Sequence, residues 1–376
     1  MKKIGILTRR AGFNHGSSLQ AYAMYKMLSS LGYDSQIINY DEYSGHLLWK
    51  VRPFIENIEW FIYKNCPFIK SSKRYHYLSV RSKQISRFNA YEKDFLYLTN
   101  KKCRNYQQLL EITKSFTDLV CGSDQIWSPL LYDPVFVFGF LKKESIVNTI
   151  AYAPSIGISN GMLIEDEEKE FIKKINFVSC REQKGAEILE GFLKKTIPVV
   201  LDPTLMVEKS EWITMASSVK VVEKRPYILC CFLGNNIPQK FIDNIKGKLD
   251  CQILNIQMFN RLNNVIADRD IVDLGPCHFL NLIAHAQWVC TDSYHATIFS
   301  FLFHRKMSVF ERFKSRQKEN QNSRIYTLLD SLNLQNVLKR DYDLPDVNTT
   351  IDYNKSKDLL NELQSKSLKF IKEALS

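Results

Sequence analysis

The nine cysteines of this 376-residue chain form no C-x-x-C pair, its seven histidines form no His-x-x-x-His, and its carboxylates show no cluster at ligand spacing. No metal site is expected from such a pattern. Cys66, Cys103, Cys121, Cys180, Cys230, Cys231, Cys251, Cys277 and Cys290 lie mostly inside apolar, strand-like runs. They read as reduced, buried thiols of a cytosolic protein rather than as a disulfide framework. No run of about 18 residues is continuously apolar enough to cross a bilayer. The apolar stretch Ile4-Gly5-Ile6-Leu7 stops at Thr8-Arg9-Arg10, too soon for a secretory signal, so a soluble, cytoplasmic protein is expected. Gly (14) and Pro (11) are few, and no internal repeat or low-complexity tract appears. With 45% apolar residues, that composition is globular rather than disordered.

What is present suffices for two domains of ordinary size. The net charge of +11 suggests anionic partners, and its distribution is uneven. Lys50, Arg52, Lys64, Lys70, Lys73, Arg74, Arg81, Lys83 and Arg87 stand against Glu56 and Glu59, so this segment carries seven of the eleven excess charges. Leu47, Val51, Phe54, Ile55, Ile58, Phe61 and Ile62 recur there with a helical period, which predicts an amphipathic helix carrying Trp49 and Trp60. It is either a lid or subdomain helix packed on the core or a surface that rests on anionic membrane, which needs aromatic anchors together with Lys and Arg.

Along the chain, Lys3 to Thr8 reads as a buried strand, Ser18 to Leu31 as a helix closed by Gly32, and Ile37 to Tyr40 as the next strand. This βαβ opening predicts a parallel sheet with ligand at the carboxyl ends of its strands, where the loop Asn14-His15-Gly16-Ser17-Ser18 sits. The loop is not G-x-G-x-x-G, so dinucleotide binding gains little support from it. Asp118 to Trp127 runs from a strand into Gly122-Ser123-Asp124-Gln125, which either hydrogen-bonds a polyhydroxyl ligand or forms an Asx-type turn. Thr149 to Gly157 repeats the pattern. Phe177 to Cys180 leads into Arg181, which either clamps a carboxylate or phosphate or pairs with a neighbouring acid such as Glu182. A helix follows from Glu182 to Leu193, and Val199 to Thr204 reads as the last strand of this half.

A second α/β half opens at Tyr227 to Phe232. It continues with a helix from Pro238 to Leu249, a strand from Ile253 to Gln257 and a helix from Phe279 to His285. Met307 to Phe310 is expected to close its sheet, and Glu311 to Ser323 to form an exposed loop flanked by Arg312 and Arg324. The tail from Asn354 reads as a terminal helix. Between them lies Trp288 to Ser300, a strand that feeds a helix directly. Unpaired N–H groups, the helix dipole and the hydroxyls of Thr291, Ser293 and Thr297 would make an anion site there, with His295 beside it. The alternative is that Asp292 or Ser293 is an N-cap and His295 a structural residue.

Together these segments resemble the polysaccharide pyruvyl transferase family over nearly the whole chain. The resemblance is carried by Asn14 to Gln20 with Ala21-Tyr22-Ala23, Cys121 to Gln125 with Trp127, Tyr152-Ala153 with Ser155 and Gly157, and Ser179 with Arg181-Glu182. It continues through Asp202-Pro203-Thr204, Gly275-Pro276, Thr291 to Ser300 and Asn322-Ser323-Arg324. It implies an α/β protein of two Rossmann-like domains facing across a cleft, GT-B-like. The expected division is 1–220, with a basic aromatic helical insert at about 45–90, then 221–350, then a C-terminal helix over 351–376 packing back on the first domain.

The implied reaction moves pyruvate from phosphoenolpyruvate onto two hydroxyls of a sugar in a cell-surface or capsular polysaccharide unit, as a ketal. No cofactor is implied beyond the phosphoenolpyruvate donor, and no nucleic-acid partner. A lipid-linked oligosaccharide acceptor would give the basic segment 46–87 a purpose as a peripheral membrane contact.

A donor with a carboxylate and a phosphate calls for cations and N–H groups, which Arg181, His295, Ser293, Thr297, Arg312 and Arg324 can supply. The enol carbon must gain a proton. His295 is either the general acid or a phosphate ligand alone, an imidazole ordinarily titrating near working pH, about 6.5. Asp292 or Asp124 is the expected acceptor of the hydroxyl proton, and Asn14, Gly16, Gln20, Ser123, Asp124 and Gln125 are expected to meet the acceptor sugar. Two positions depart from many members of the family: Ala296 stands where they carry Gly, and Ser293 where they carry Arg. Arg312 or Arg324 would then replace the missing anion contact. The rival readings are a GT-B nucleotide-sugar glycosyltransferase and a non-catalytic glycan- or membrane-binding protein.

Overall fold

The computed structural model describes residues 2–10, 12–42, 47–65, 72–142, 145–158, 161–257, 262–313, 320–348 and 350–376. Cys66, the side chain of Trp49 and residues 314–319 of the expected loop Glu311 to Ser323 lie outside the described residues. The first half contains β1 (Lys3–Leu7), α1 (His15–Ser30), β2 (Asp34–Ile37), α2 (Leu47–Asn65), α3 (Lys73–Phe95) and α4 (Tyr106–Thr113). It goes on with β3 (Asp118–Cys121), β4 (Asn148–Ala151), α5 (Asp166–Ile172), β5 (Phe177–Val178), α6 (Gln183–Leu193) and α7 (Lys209–Ser217). The second half contains β6 (Tyr227–Cys231), α8 (Gln239–Leu249), β7 (Gln252–Ile256), β8 (Arg269–Ile271), α9 (Pro276–His285) and β9 (Trp288–Thr291). It ends with α10 (Tyr294–Leu302), β10 (Lys306–Phe310), α11 (Ser323–Ser331), β11 (Leu338–Lys339) and α12 (Tyr353–Ala374).

Both sheets are parallel throughout, in the orders β2-β1-β3-β4-β5 and β11-β10-β9-β6-β7-β8. Their central strands are buried from end to end, as sheets covered by helices on both faces must be. Two Rossmann-like domains thus face each other in a GT-B-like arrangement. In the first sheet the strand order reverses between β1 and β3, and in the second between β6 and β9. Ligands of open α/β sheets collect at the carboxyl ends of strands at such reversals. The loops that leave β1, β3, β6 and β9 are therefore the ones to inspect.

Behind the crevice one apolar core runs from Ile4 and Leu19 through Trp212 to Phe299 without a break between the domains. Trp212 is fully buried and packs edge-on against Tyr22 (5.6 Å) and Phe299 (5.0 Å), one from each side. α12 returns across this back face. Ser367 Oγ accepts from Leu201 N (3.0 Å), Gln364 Nε2 donates to Leu205 O (2.6 Å), and Asn148 Nδ2 donates to Ala374 O (2.8 Å).

Three expectations change. Val199 to Thr204 is not a strand: it makes a single bridge, Val199 to Cys180, and then turns at Pro203–Leu205. Pro203 has no N–H for a ladder, and the Asp202 carboxylate takes Thr204 N instead. The second strand lies at Asp34–Ile37, and beyond it Tyr40 makes an isolated bridge to Cys103. β10 does not close its sheet, since β11 pairs outside it.

In the basic insert α2 and α3 pack on each other through Trp60 and Tyr75, whose rings are 5.7 Å apart, and through Arg81 and Glu56 at 3.6 Å. α3 also reaches the second domain, where Arg87 pairs with Asp273 at 3.2 Å. No helix among the described residues is long and apolar enough to cross a membrane. The eight described cysteines are free and buried.

Candidate active site

Two helix starts meet in the crevice. Asn14 Oδ1 accepts from Ser17 N (3.3 Å) and caps α1, while Ser293 Oγ accepts from Ala296 N (3.4 Å) and caps α10. Each directs unpaired backbone N–H groups and the positive end of its dipole toward the same space. They touch at Gly16 and His295, each the second residue of its helix. A Cβ added to Gly16 would lie 2.6 Å from His295 Cγ and closer still to Nδ1, so any larger residue would displace the imidazole. The cavity there is about 50 Å³, lined by Asn14, His15, Gly16, Asp124 and Gln125 from one domain and by Ser293, Tyr294, His295, Arg312 and Arg324 from the other. Two larger hollows, of about 740 and 930 Å³, open around Leu141 and Ile146 toward the amino ends of the first sheet's strands, away from both strand-order reversals.

The loop after β3 is shaped by Gly122. Its φ is +124°, and an added Cβ would lie 2.9 Å from the Tyr152 carbonyl carbon and closer to its oxygen. That fold carries Ser123 to the centre of the site, where the fully buried Asp202 gathers partners from three segments. Asp202 Oδ2 accepts from Arg181 Nη1 (2.7 Å) and Ser123 Oγ (3.0 Å) and lies 3.6 Å from His295 Nε2. Oδ1 accepts from Thr204 N (3.0 Å) and Oγ1 (2.7 Å). Burial alone would push this carboxyl's pKa up, but His295, Arg181 and Thr204 hold it well below the ordinary range. His295 and Arg181, on different domains, therefore share one carboxylate.

Arg181 is itself buried under the Tyr294 ring, with its Cζ 4.2 Å from the ring centroid. Its Nη2 is 3.8 Å from Asp124 Oδ1 and its Nε is 4.0 Å from Glu182 Oε2. Burial opposes its charge, yet these neighbours keep it a permanent cation. Asp124 takes a hydrogen bond from Ser17 Oγ, and although burial raises its pKa, His295 and Arg181 lower it further than burial lifts it.

The other two arginines differ. Arg312 Nη2 donates to Asp292 O (3.0 Å), and its Nε lies 3.4 Å from Asp292 Oδ2. Arg324 is buried with no ion-pair partner among the described residues. It donates from Nε to Gln321 O (3.2 Å) and from Nη2 to Gln321 Oε1 (3.2 Å). Burial, with Arg312 and Arg181 nearby, lowers its pKa from 12.5 to about 9. Such a group lacks a counter-ion, which an anionic ligand in the cavity would supply.

Of the residues singled out from sequence, Asn14, Gly16, Asp124, Gln125, Ser293, His295, Arg312 and Arg324 line the cavity, and Arg181 stands just behind it. Four others face inward. Gln20 Nε2 donates to Thr8 Oγ1 (2.7 Å) and Arg9 O (2.9 Å), and its Oε1 accepts from Ser123 N (3.1 Å), so it ties the loops after β1 and β3 together. Thr297 Oγ1 donates to Ser293 O (2.9 Å) inside α10. Ser123 is held by Asp202 and Ala153 O. Asp292 accepts from Leu233 N (2.7 Å) and Gly234 N (2.8 Å), which fixes the loop after β6 beside the loop after β9. Gln125 Nε2 donates to Gln321 Oε1 (2.7 Å) across the crevice.

Sequence reasoning assigned no role to Asp202, Tyr294, His15 or Ser17. The signal for Asp202 was the Asp-Pro-Thr turn after an apolar run. His15 and Ser17 stood inside a loop already assigned to the ligand edge.

A model of the family described as polysaccharide pyruvyl transferase matches residues 14–312, most of the chain. No curated protein sequence matches it. Solved structures similar to it include a UDP-N-acetylglucosamine 2-epimerase from Rickettsia bellii, 8% identical with a TM-score of 0.45, covering 99% of this chain and 96% of that one. The UDP-GlcNAc 2-epimerase from Neisseria meningitidis bound to UDP-GlcNAc is 10% identical with a TM-score of 0.46, covering 97% and 100%. The ADP-heptose lps heptosyltransferase II of E. coli is 10% identical with a TM-score of 0.37, covering 97% and 99%.

Proposed function

The chain belongs to the polysaccharide pyruvyl transferase family, and on that premise we propose that it moves pyruvate from phosphoenolpyruvate onto two hydroxyls of one sugar as a ketal, releasing phosphate. The observation that carries this reading is Arg324, a buried guanidinium with no ion-pair partner among the described residues, at a cavity where two helix starts converge. A donor with one carboxylate and one phosphate matches that demand. Its phosphate would lie between Arg324, Arg312 and the start of α10. Arg181, held by Asp202 behind Tyr294, acts through position and field rather than by direct clamping. His295 protonates the enol carbon, with Asp202 Oδ2 3.6 Å from its Nε2. Asn14, Asp124 and Gln125 face the acceptor sugar from the opposite wall.

The acceptor is a polysaccharide unit, which would be carried on lipid at the cytoplasmic face of the membrane. The outer side of α2 supports this location. Ile55, Ile58, Phe61 and Ile62 are 47%, 47%, 71% and 54% exposed on a hairpin rich in Lys and Arg. Inorganic phosphate released from phosphoenolpyruvate, measured with and without a galactose- or mannosamine-bearing acceptor, tests the reaction. Acceptor-dependent release supports the reading, and its absence refutes it.

A further inference from the structure

The proposed reaction needs a base as well as an acid, and the crevice holds a second histidine. His15 is the first residue of α1 and lines the same cavity as His295. It is 3% exposed, stacked on Phe279 with ring centroids 5.0 Å apart and tilted on Phe88 at 5.3 Å. Gly16, the next residue in the chain, is the point where α1 touches the His295 ring. His15 Nε2 is buried without a hydrogen-bond partner, whereas His295 Nε2 faces Asp202 Oδ2 at 3.6 Å. A buried ring nitrogen left unmade is costly, and beside a ligand cavity it waits for a group that the protein does not supply.

We propose that His15 is the general base that takes the proton of the attacking sugar hydroxyl, facing His295 as the general acid. This rests on the pyruvyl-transfer reading. Burial, with a smaller contribution from the charge of His278, lowers the His15 pKa to about 4, so its ring is neutral at working pH. The Leu274 carbonyl favours a ring proton, and with Nε2 unpartnered that proton belongs on Nδ1, leaving the lone pair on Nε2. The charged and titratable groups on the elements packed around it include His278 on α9, Arg87 on α3 with its partner Asp273, Asp124 on the same wall of the cavity, and His295 across it. Asp124 is less suited, because Ser17 Oγ and Arg181 already engage its two oxygens.

The steps balance. As the first hydroxyl oxygen bonds to C2 of the donor, the C2–C3 π pair takes a proton from His295 and the hydroxyl proton passes to His15. An alcohol bonded to an electron-poor carbon is far more acidic than a free one, so a weak base suffices. The proton on His15 then returns to His295 through solvent. In the second half the C2–O bond to phosphate breaks, the second hydroxyl oxygen bonds to C2, and its proton leaves on the phosphate. The products are the ketal and hydrogen phosphate, with no change in oxidation state.

His15→Phe keeps the ring stacked on Phe279 and removes the lone pair. It should melt within about 2 °C of wild type and bind phosphoenolpyruvate with an affinity within about threefold. Acceptor-dependent phosphate release should fall by about 10²–10⁴-fold. His15→Ala should fall likewise and regain about tenfold with added imidazole, a response that a packing role would not give. If His15→Phe retains more than about a third of wild-type turnover, or if imidazole fails to rescue a folded His15→Ala, the role of His15 is overturned while the pyruvyl-transfer reading stands. Should the wild-type protein itself release no phosphate with the galactose- or mannosamine-bearing acceptors, both fall together.

Discussion

Replacing Arg324 by Met should stabilise the empty protein and weaken its grip on the donor, two effects of opposite sign from one change. The residue is 6% exposed. Burial and two nearby arginines lower its pKa from 12.5 to about 9, equivalent to roughly 5 kcal/mol of unfavourable surroundings. Met keeps most of the stem's packing and removes the charge. Against that gain stand two hydrogen bonds to Gln321, each 3.2 Å long and worth about 1.5 kcal/mol for a charged donor, or about 3 kcal/mol together. The balance is on the order of 2 kcal/mol in favour of the variant, which for a chain of this length raises the melting temperature by roughly 2–3 °C. The sign with pH is fixed. A cation whose folded pKa is depressed destabilises the fold below that value, and the penalty lifts as pH rises through about 9. The advantage of Arg324→Met should therefore shrink in alkaline buffer. Donor binding should move the other way, losing about 2–4 kcal/mol of charge-assisted contact, or roughly 30- to 1,000-fold in affinity. Thermal melts across pH with calorimetric titration of phosphoenolpyruvate measure both. A variant that melts below wild type, or that binds the donor as tightly, refutes the reasoning.

Gly16→Ala should displace the His295 ring, because the new Cβ overlaps Nδ1 and Cγ, and turnover should drop by about 10- to 100-fold with a smaller change in donor affinity; equal turnover would show that the imidazole has room to move. Glu168 is buried with Oε1 unpartnered, and burial with the charge of Glu165 raises its pKa to about 8. An acid so raised loses stability as pH climbs from its unfolded value toward 8, so Glu168→Gln should exceed wild type by on the order of 2–4 kcal/mol at pH 8 and match it near pH 4 in denaturant titrations. Phe61→Asp with Ile62→Asp should abolish co-sedimentation with vesicles containing anionic phospholipid while leaving phosphate release from a soluble acceptor unchanged. Retained binding would remove α2 from the membrane contact.

Most of the fold was legible because parallel strands buried on both faces announce themselves as short apolar runs, as in Asp118–Cys121 and Trp288–Thr291. The failures have local causes. Val199 to Val200 looks like a strand until Pro203 and the Asp202 carboxylate divert the backbone, a competition between ladder and side chain that periodicity does not register. β8 and β11, of three and two residues, are too short to carry any period. The α2–α3 hairpin was visible as helix, but that α3 reaches Asp273 through Arg87 depends on where the other domain lies.

The site was less legible because its design is electrostatic, and charge balance depends on distance rather than order along the chain. Arg181, Asp124, Asp202, Arg312 and Asp292 come from five loops, and read singly each arginine is an anion ligand and each aspartate a base. Brought together, Arg181 is answered by Asp202 and Asp124, and Arg312 by Asp292, so most of these charges hold one another in place. What remains to act is small: Arg324, two imidazoles and the starts of α1 and α10. A groove of unpaired guanidiniums would repel itself open, whereas a paired shell fixes the geometry and leaves one cation exposed to the ligand's charge. Substitutions in the shell should therefore be read first as changes in fold, and only those at the unpaired groups as changes in chemistry.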